Sequence, residues 1–400
     1  MGKLRRFWPV LIIALLGGAV SWWWLYTSRP DYRLRQGQEA LKRNDLDAAE
    51  QQALRLEAAG AVDAARLLSG QILMSQARSL DPASPQARAL WAQALALFNR
   101  IEDQGEIRRQ AIALCGQCHL QLGQVIEAER VFTYLLNQHP DDLDGQRGMA
   151  ALAFDLGAFS AAIHHCREWA RLDPSDGRPH RFMGMIWKDL SKIGDAIPCY
   201  QDALARHLTE TVKEEVRLEL AECYFRQKDY QQALSTLQPC APPDELLPKL
   251  LALEAECFLA QGKADQALTR VERARKIYPD FPDGLRIQAK LHLQAGETRA
   301  AADLLEKAVQ LKPANYVCRH LLAQAYMGLN RPADAKKQLG LAEEIKDNLD
   351  SLSKLAHEVM EHPKDPTLHL RMADLYQKLD MPEMAVRNRR LAEILSAKNR

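Results

Sequence analysis

The chain has 400 residues, 47% of them hydrophobic and 26% charged, with a formal net charge of +1. That balance excludes a predominantly disordered chain, and a net charge so near zero excludes a global field that would gather nucleic acid. Aromatic residues are scarce at 6% while Ala, Leu, Gln and Glu abound, and no run of alternating β-branched residues argues for a sheet, so an all-α fold is expected.

Residues 1–6 form a short basic tail carrying Lys3, Arg5 and Arg6. Residues 7–26 read FWPVLIIALLGGAVSWWWLY, without one charge. A helix of that length rises about 30 Å, the hydrocarbon thickness of a bilayer, and aromatic rings such as Trp22, Trp23, Trp24 and Tyr26 favour the headgroup zone. A single transmembrane helix is expected here, in a bacterial-type inner membrane. The alternative is a cleaved signal peptide, for which Ala19 and Ser21 are small and correctly spaced; against it, the apolar run continues through the three tryptophans. The basic tail favours an inside N-terminus and an extracytoplasmic body, whereas Arg29, Arg33, Arg35, Lys42 and Arg43 pull the other way. The extracytoplasmic body is the expectation.

Residues 27–108 read as a linker with divergent helices. Gly37 and Ala49 are twelve apart, but the loop Asp81-Pro-Ala-Ser-Pro85 breaks the register. From 109 to 346 the pattern is regular: a small residue is followed twelve positions later by Ala. The pairs are Gly116/Ala128, Ala150/Ala162, Gly184/Ala196, Ala221/Ala233, Ala255/Ala267, Ala289/Ala301 and Ala323/Ala335, with Ala373/Ala385 in a C-terminal segment, 347–400. Successive pairs lie 34 residues apart except for one step of 37 and one of 50. Three residues after the first small residue stand His119, Ala153, Trp187, Tyr224, Phe258, His292, Tyr326 and Tyr376. Seven after it stand Gly123, Gly157, Ser191, Lys228, Gly262, Gly296, Asn330 and Asp380. Two helices approach closely only where small side chains meet at the crossing, and Gly or Asn just beyond a helix suits a left-handed cap. The stride therefore predicts stacked antiparallel helix pairs.

The segments Gly184-Met-Ile-Trp187 … Ala196 … Tyr200 … Ala203 and Ala323-Gln-Ala-Tyr326 … Ala335 … Ala342 resemble the tetratricopeptide repeat. The resemblance implies an α-solenoid of antiparallel helix pairs that binds other proteins or extended peptides. In such arrays the first helix of each pair lines a groove. The positions that would line it here include Arg147, Phe154, Arg181, Met185, Lys188, Phe225, Arg286 and Lys290, with His320 and Met327 further on and Glu222 and Glu256 interrupting the basic series. Arg and Phe on an accessible helix face can anchor a peptide through charge-assisted hydrogen bonds and apolar contact; an ordinary mixed polar surface is the alternative. Similar proteins organise envelope assembly, secretion or export, and that is what the resemblance implies for a membrane-anchored scaffold. Oligomeric state is left open.

Cys115-Gly-Gln-Cys118-His119 matches the C-x-x-C-H pattern of covalent haem attachment, which would make His119 an axial ligand. The repeat phase supplies a packing role for the same residues, because Cys223 and Cys257 recur where Cys118 falls and His292 where His119 falls. Packing is the expected reading, with no cofactor; haem or redox chemistry on Cys115, Cys118 and His119 is the alternative. His357-Glu-Val-Met-Glu-His362 puts its histidines five apart rather than the four that share a helix face, so no metal site is expected. Neither a phosphate-binding Gly loop nor a nucleophile elbow occurs, and the chain is expected not to be an enzyme.

Overall fold

The structure, a computed structural model, describes residues 29–82 and 84–398. The expected membrane helix at 7–26 lies outside the described residues. Among those described there are twenty α-helices, one isolated bridge (Asp176–His207) and no strand, and no helix is long and apolar enough to cross a membrane. The helices fall into two compact units, one ending at Leu152 and the other beginning at Ala153. The first unit runs α1 (Pro30–Lys42), α2 (Leu46–Ala58), α3 (Val62–Arg78), α4 (Pro85–Asn99), α5 (Glu106–Gln121), α6 (Val125–Gln138) and most of α7 (Leu143–Asp155). The second holds α8 (Phe159–Leu172), α9 (Arg178–Asp189), α10 (Ile193–Leu204), α11 (Glu210–Arg226), α12 (Tyr230–Leu237) and α13 (Leu247–Ala260). It continues through α14 (Ala264–Ile277), α15 (Pro282–Gln294), α16 (Thr298–Leu311), α17 (Tyr316–Gly328), α18 (Pro332–Glu361), α19 (Pro366–Lys378) and α20 (Pro382–Lys398).

Both small-residue series are buried. Ala128, Ala162, Ala196, Ala233, Ala267, Ala301 and Ala385 have no exposed surface, and neither do Ala150, Ala221, Ala255, Ala289 and Ala373. Side-chain size is matched across the crossing. Where the second helix carries an aromatic ring four residues after its Ala, the first helix carries Gly: a Cβ on Gly116 would come within 2.5 Å of the Phe132 ring, and one on Gly184 within 2.9 Å of Tyr200. Where that residue is smaller (Leu237, Val271, Leu305), the partner is Ala221, Ala255 or Ala289. The Phe132 ring also lies against Gly148 of α7, so it is gripped by glycines of two successive helix pairs.

The turns obey one rule. All eight residues seven positions past the first small residue have positive φ, from 56° at Asp380 to 79° at Gly296. Asn44, seven past Gly37, joins them at 59°. The left-handed residue lets the next backbone N–H reach back to a helical carbonyl, closing a Schellman cap. Gln124 donates to His119 O at 2.8 Å, Lys192 to Trp187 O at 2.8 Å, Lys263 to Phe258 O at 2.9 Å and Arg331 to Tyr326 O at 2.8 Å. The same residue pairs meet through their side chains. Lys192 lies over the Trp187 ring at 5.2 Å, Arg331 over Tyr326 at 4.3 Å, and His119 Nδ1 meets Gln124 Oε1 at 2.6 Å. Trp187, Tyr224, Phe258 and Tyr376 are half-buried, each packed against a core cluster on one side and facing the turn on the other.

Two features answer the irregular steps. The step of 37 falls at the loop after α10, where His207 N–H donates to Ser175 O at 2.8 Å and Gly177 N–H donates to His207 O at 3.0 Å. The step of 50 arises because α18 runs on as one 30-residue helix, where the second helices of the preceding pairs from α6 to α16 end after 8–14 residues. Leu339, four past Ala335, is consequently 39% exposed rather than buried, since the next pair sits farther along α18. The region taken as linker and divergent helices is helical from Pro30 onward, with Leu34, Ala49, Leu56 and Leu68 in one core with Trp91 and Phe98.

Replacing Gly116 by Ala drives a methyl into the clamped Phe132 ring. Overpacking of this kind costs about 1–3 kcal/mol, partly offset by the better helix propensity of Ala. Urea unfolding is expected to show a lower midpoint for Gly116→Ala and recovery in the Gly116→Ala/Phe132→Leu double variant.

Candidate functional site

Most of the charges at the helix-face positions read from the sequence are already answered within the chain. In the second unit Arg181 of α9 bonds Glu215 at 2.6 Å and Glu219 at 2.9 Å, both on α11. Lys188 meets Glu222 at 3.4 Å, and Arg286 of α15 pairs with Glu256 of α13. Burial works against the Arg181 and Arg286 charges, yet bonding to Glu219 and Glu215 in one case and Glu256 in the other carries both pKa values above the ordinary arginine value. These cations tie one first helix to the next. The acidic residues that seemed to interrupt a basic series are its partners.

The other expected residues are more varied. Phe154 stacks edge-on with Phe182 at 5.7 Å, and Phe225 lies 5.5 Å from Tyr230, so both rings serve local packing. Met185 is half-buried against the α10–α11 core. Lys290, His320 and Met327 are exposed, Met327 at 59%.

In the first unit Arg147 takes part in a different arrangement. It lines a recess of about 240 Å³ together with Arg78, Trp91, Gln117 and Ala151. The Arg78 guanidinium sits 5.7 Å over the Trp91 ring and reaches Gln117 Oε1 at 3.5 Å; no carboxylate among the described residues pairs with it. Arg147 holds Asp144 at 3.3 Å, one turn away on its own helix. Beside the recess runs a row of amides: Gln38 Nε2 donates to Gln71 Oε1 at 3.3 Å and to Gln110 Oε1 at 3.4 Å. Amide side chains can both donate to and accept from the main chain of an extended peptide, while an arginine beside an aromatic plane can take a carboxylate. Sequence reading missed Arg78, Trp91 and Gln71 because the loop at 81–85 lengthens the α3–α4 pair. The usable signal was the Gly–Phe complementarity: a Cβ on Gly70 would strike the Phe98 ring at 2.4–2.6 Å, the same device as Gly116 with Phe132.

Cys115 and Cys118 lie on the buried face of α5, Cys118 with no exposed surface. Burial pushes the Cys115 thiol up to about 11 and the Cys118 thiol to about 12. His119 spends Nδ1 on Gln124, as His292 does on Glu297. A haem edge has no route to sulfurs enclosed between α4, α5 and α3, so these residues do not fit covalent haem. All eight cysteines are unpaired. His357 Nδ1 faces Ser353 O at 2.9 Å, and no group of potential metal ligands occurs among the described residues.

Comparison with known proteins places this architecture. Family models of the tetratricopeptide repeat match residues 116–177, 253–316 and 292–357, and that of the anaphase-promoting complex, cyclosome, subunit 3 matches 189–274. Among solved structures, the apo form of RapI superposes with a TM-score of 0.59 at 11% identity, covering 80% of this chain and 98% of that one. YrrB, described as a TPR protein with an unusual peptide-binding site, aligns at 17% identity over 47% of this chain and 96% of its own, with a TM-score of 0.39. No curated protein sequence matches the chain. The fold is an all-α solenoid built from tetratricopeptide repeats, an architecture suited to protein–protein interaction.

Thiolate is the reactive form of cysteine, so thiols with pKa values raised to about 11–12 react slowly at neutral pH. Maleimide labelling at pH 7.5 is expected to leave Cys115 and Cys118 unmodified in the native chain and to reach both in denaturant. Rapid native labelling of either would contradict the packing described.

Proposed function

We propose that this protein is a non-catalytic scaffold, tethered to a membrane by residues 7–26, that holds extended segments of partner proteins along the first-helix face of its repeats. The observation that carries the reading is the contrast between the two units. Along the second unit the cations Arg181, Lys188 and Arg286 are bound by carboxylates of the neighbouring helix. In the first unit Arg78 is exposed over Trp91, beside Gln117 and Arg147. A charged pair already formed adds nothing to a partner unless it is broken, whereas an accessible arginine on a rigid aromatic plane offers an anchor. The occupant proposed is an extended peptide carrying a carboxylate at the recess, its main chain running along Gln38, Gln71 and Gln110.

The tether confines the solenoid to two dimensions and raises its effective concentration near membrane-associated partners. Envelope assembly, secretion or export in a bacterial-type inner membrane is the setting that fits such an arrangement, with the body on the extracytoplasmic side. The tether is supported by the uncharged stretch and its aromatic end, which match the length and interfacial chemistry of a bilayer span.

Two experiments test this. Partner capture from detergent-solubilised full-length protein is expected to fall about tenfold or more for Arg78→Glu or Arg147→Glu, because a lost charge-assisted hydrogen bond is replaced by repulsion. Lys290→Glu is expected to change capture little. Equal loss in all three would refute a localised anchor. Separately, the full chain is expected to stay in carbonate-washed membranes while a chain lacking residues 1–28 is released; retention of the shortened chain would refute the tether.

A further inference from the structure

In the second unit the last helix pair touches a point far back in the chain. Arg387 of α20 donates to Asp155 O at 2.9 Å, to Phe154 O at 3.3 Å and to Asp155 Oδ1 at 2.8 Å. These carbonyls lie at the C-terminus of α7, where the helix dipole favours a cation; Phe154 O also accepts from Gly157 N–H at 3.0 Å. The contact is broader than one arginine. A Cβ on Gly157, in the turn that follows, would lie 3.6 Å from Val359 Cγ1 of α18 and 3.7 Å from His369 Cε1 of α19. Tyr376 of α19 is half-buried and feels the charges of both Asp189, at the end of α9, and Arg387. Burial raises the Asp155 pKa and Arg387 opposes that rise, as expected of a carboxylate partly enclosed beside a cation.

How α19 and α20 are held makes this contact decisive. Their core consists of Leu355, Val359, Leu368 and Met372, a cluster distinct from the one that unites α15, α16 and α17. Between the two clusters runs α18, and from Lys346 to Lys354 that helix has no buried residue. Of that stretch Leu352 packs against the terminal cluster, and a helix so thinly packed bends at lower cost than one buried along its length. The terminal pair is therefore held through the thinly packed middle of α18 and at the seat on the α7–α8 turn.

We propose that α19–α20 is a latch that closes the first-helix face of the second unit into a loop. Arg387 and Asp155 act as the catch, and the exposed middle of α18 acts as the strut on which the latch swings. While it is shut, a folded segment cannot be laid onto that face from the side. Release of the catch opens it. The latch does not rest on the binding reading given above, whose anchor lies in the first unit.

The test uses the full chain in detergent without any partner, so that its outcome is independent of whether the face binds anything. Spin labels are placed through unnatural amino acids at Ser160 and Lys378, both exposed, and their separation is measured by double electron–electron resonance. The unmodified background is expected to give one narrow distance population. Arg387→Ala is expected to add a second, longer population, and Arg387→Lys, which can still donate to those carbonyls, to keep chiefly the narrow one. Arg390→Ala, on the same helix, serves as a control and is expected to change nothing. An Arg387→Ala distribution identical to the background, or a background already broad, would overturn the latch.

Discussion

The close approach of paired helices through small side chains is the constraint on which the rest depends. Ala at each crossing brings two backbones near enough for the flanking residues to interlock, and this fixes where the turn must reverse the chain. The reversal needs a left-handed residue, and that residue turns the next N–H back onto the helix it has just left. Crossing, turn and cap are thus one device repeated along the chain. Because each pair contacts chiefly its neighbours, a departure in one place is absorbed locally, as the longer α3–α4 pair and the extended α18 illustrate.

Most of this was legible in the sequence for a physical reason. Small residues at crossings and residues tolerant of positive φ at turns are dictated by backbone geometry, which has few solutions. The phase that located Gly123, Gly262 and Asn330 also located Ser191, Lys228 and Asp380, whose side chains gave no hint of a turn by themselves. The candidate site was far less legible. Positions on the first-helix face followed from the stride, but whether Arg181 or Arg286 is free depends on the residue opposite on the next helix. Glu222 and Glu256 stood in the sequence as interruptions and are partners in three dimensions, while Glu215 and Glu219 were not singled out there. Arg78 escaped because its pair has a longer loop and so falls out of phase.

The cysteine motif shows how phase can outweigh a short pattern. Cys115 and Cys118 satisfy a haem signature letter by letter, yet each letter is explained by its place in the repeat. The sulfurs fill a buried helix face, Gly116 makes room for Phe132, and His119 serves the turn as His292 does elsewhere. Charge and burial divide the molecule's surface into a region whose cations are held by carboxylates of the neighbouring helix and one where an exposed arginine lies over a buried indole. On the proposed reading, binding energy comes from the second kind of surface, since groups already paired must first lose their partners.

The most direct measurement of that division is photo-cross-linking by the full-length protein in intact cells, with the reactive residue placed at Gln117 in the first unit or at Glu222 in the second. The account predicts a partner adduct from position 117 and none, or far less, from position 222. Adducts of equal yield from both positions, or an adduct from 222 alone, would contradict it.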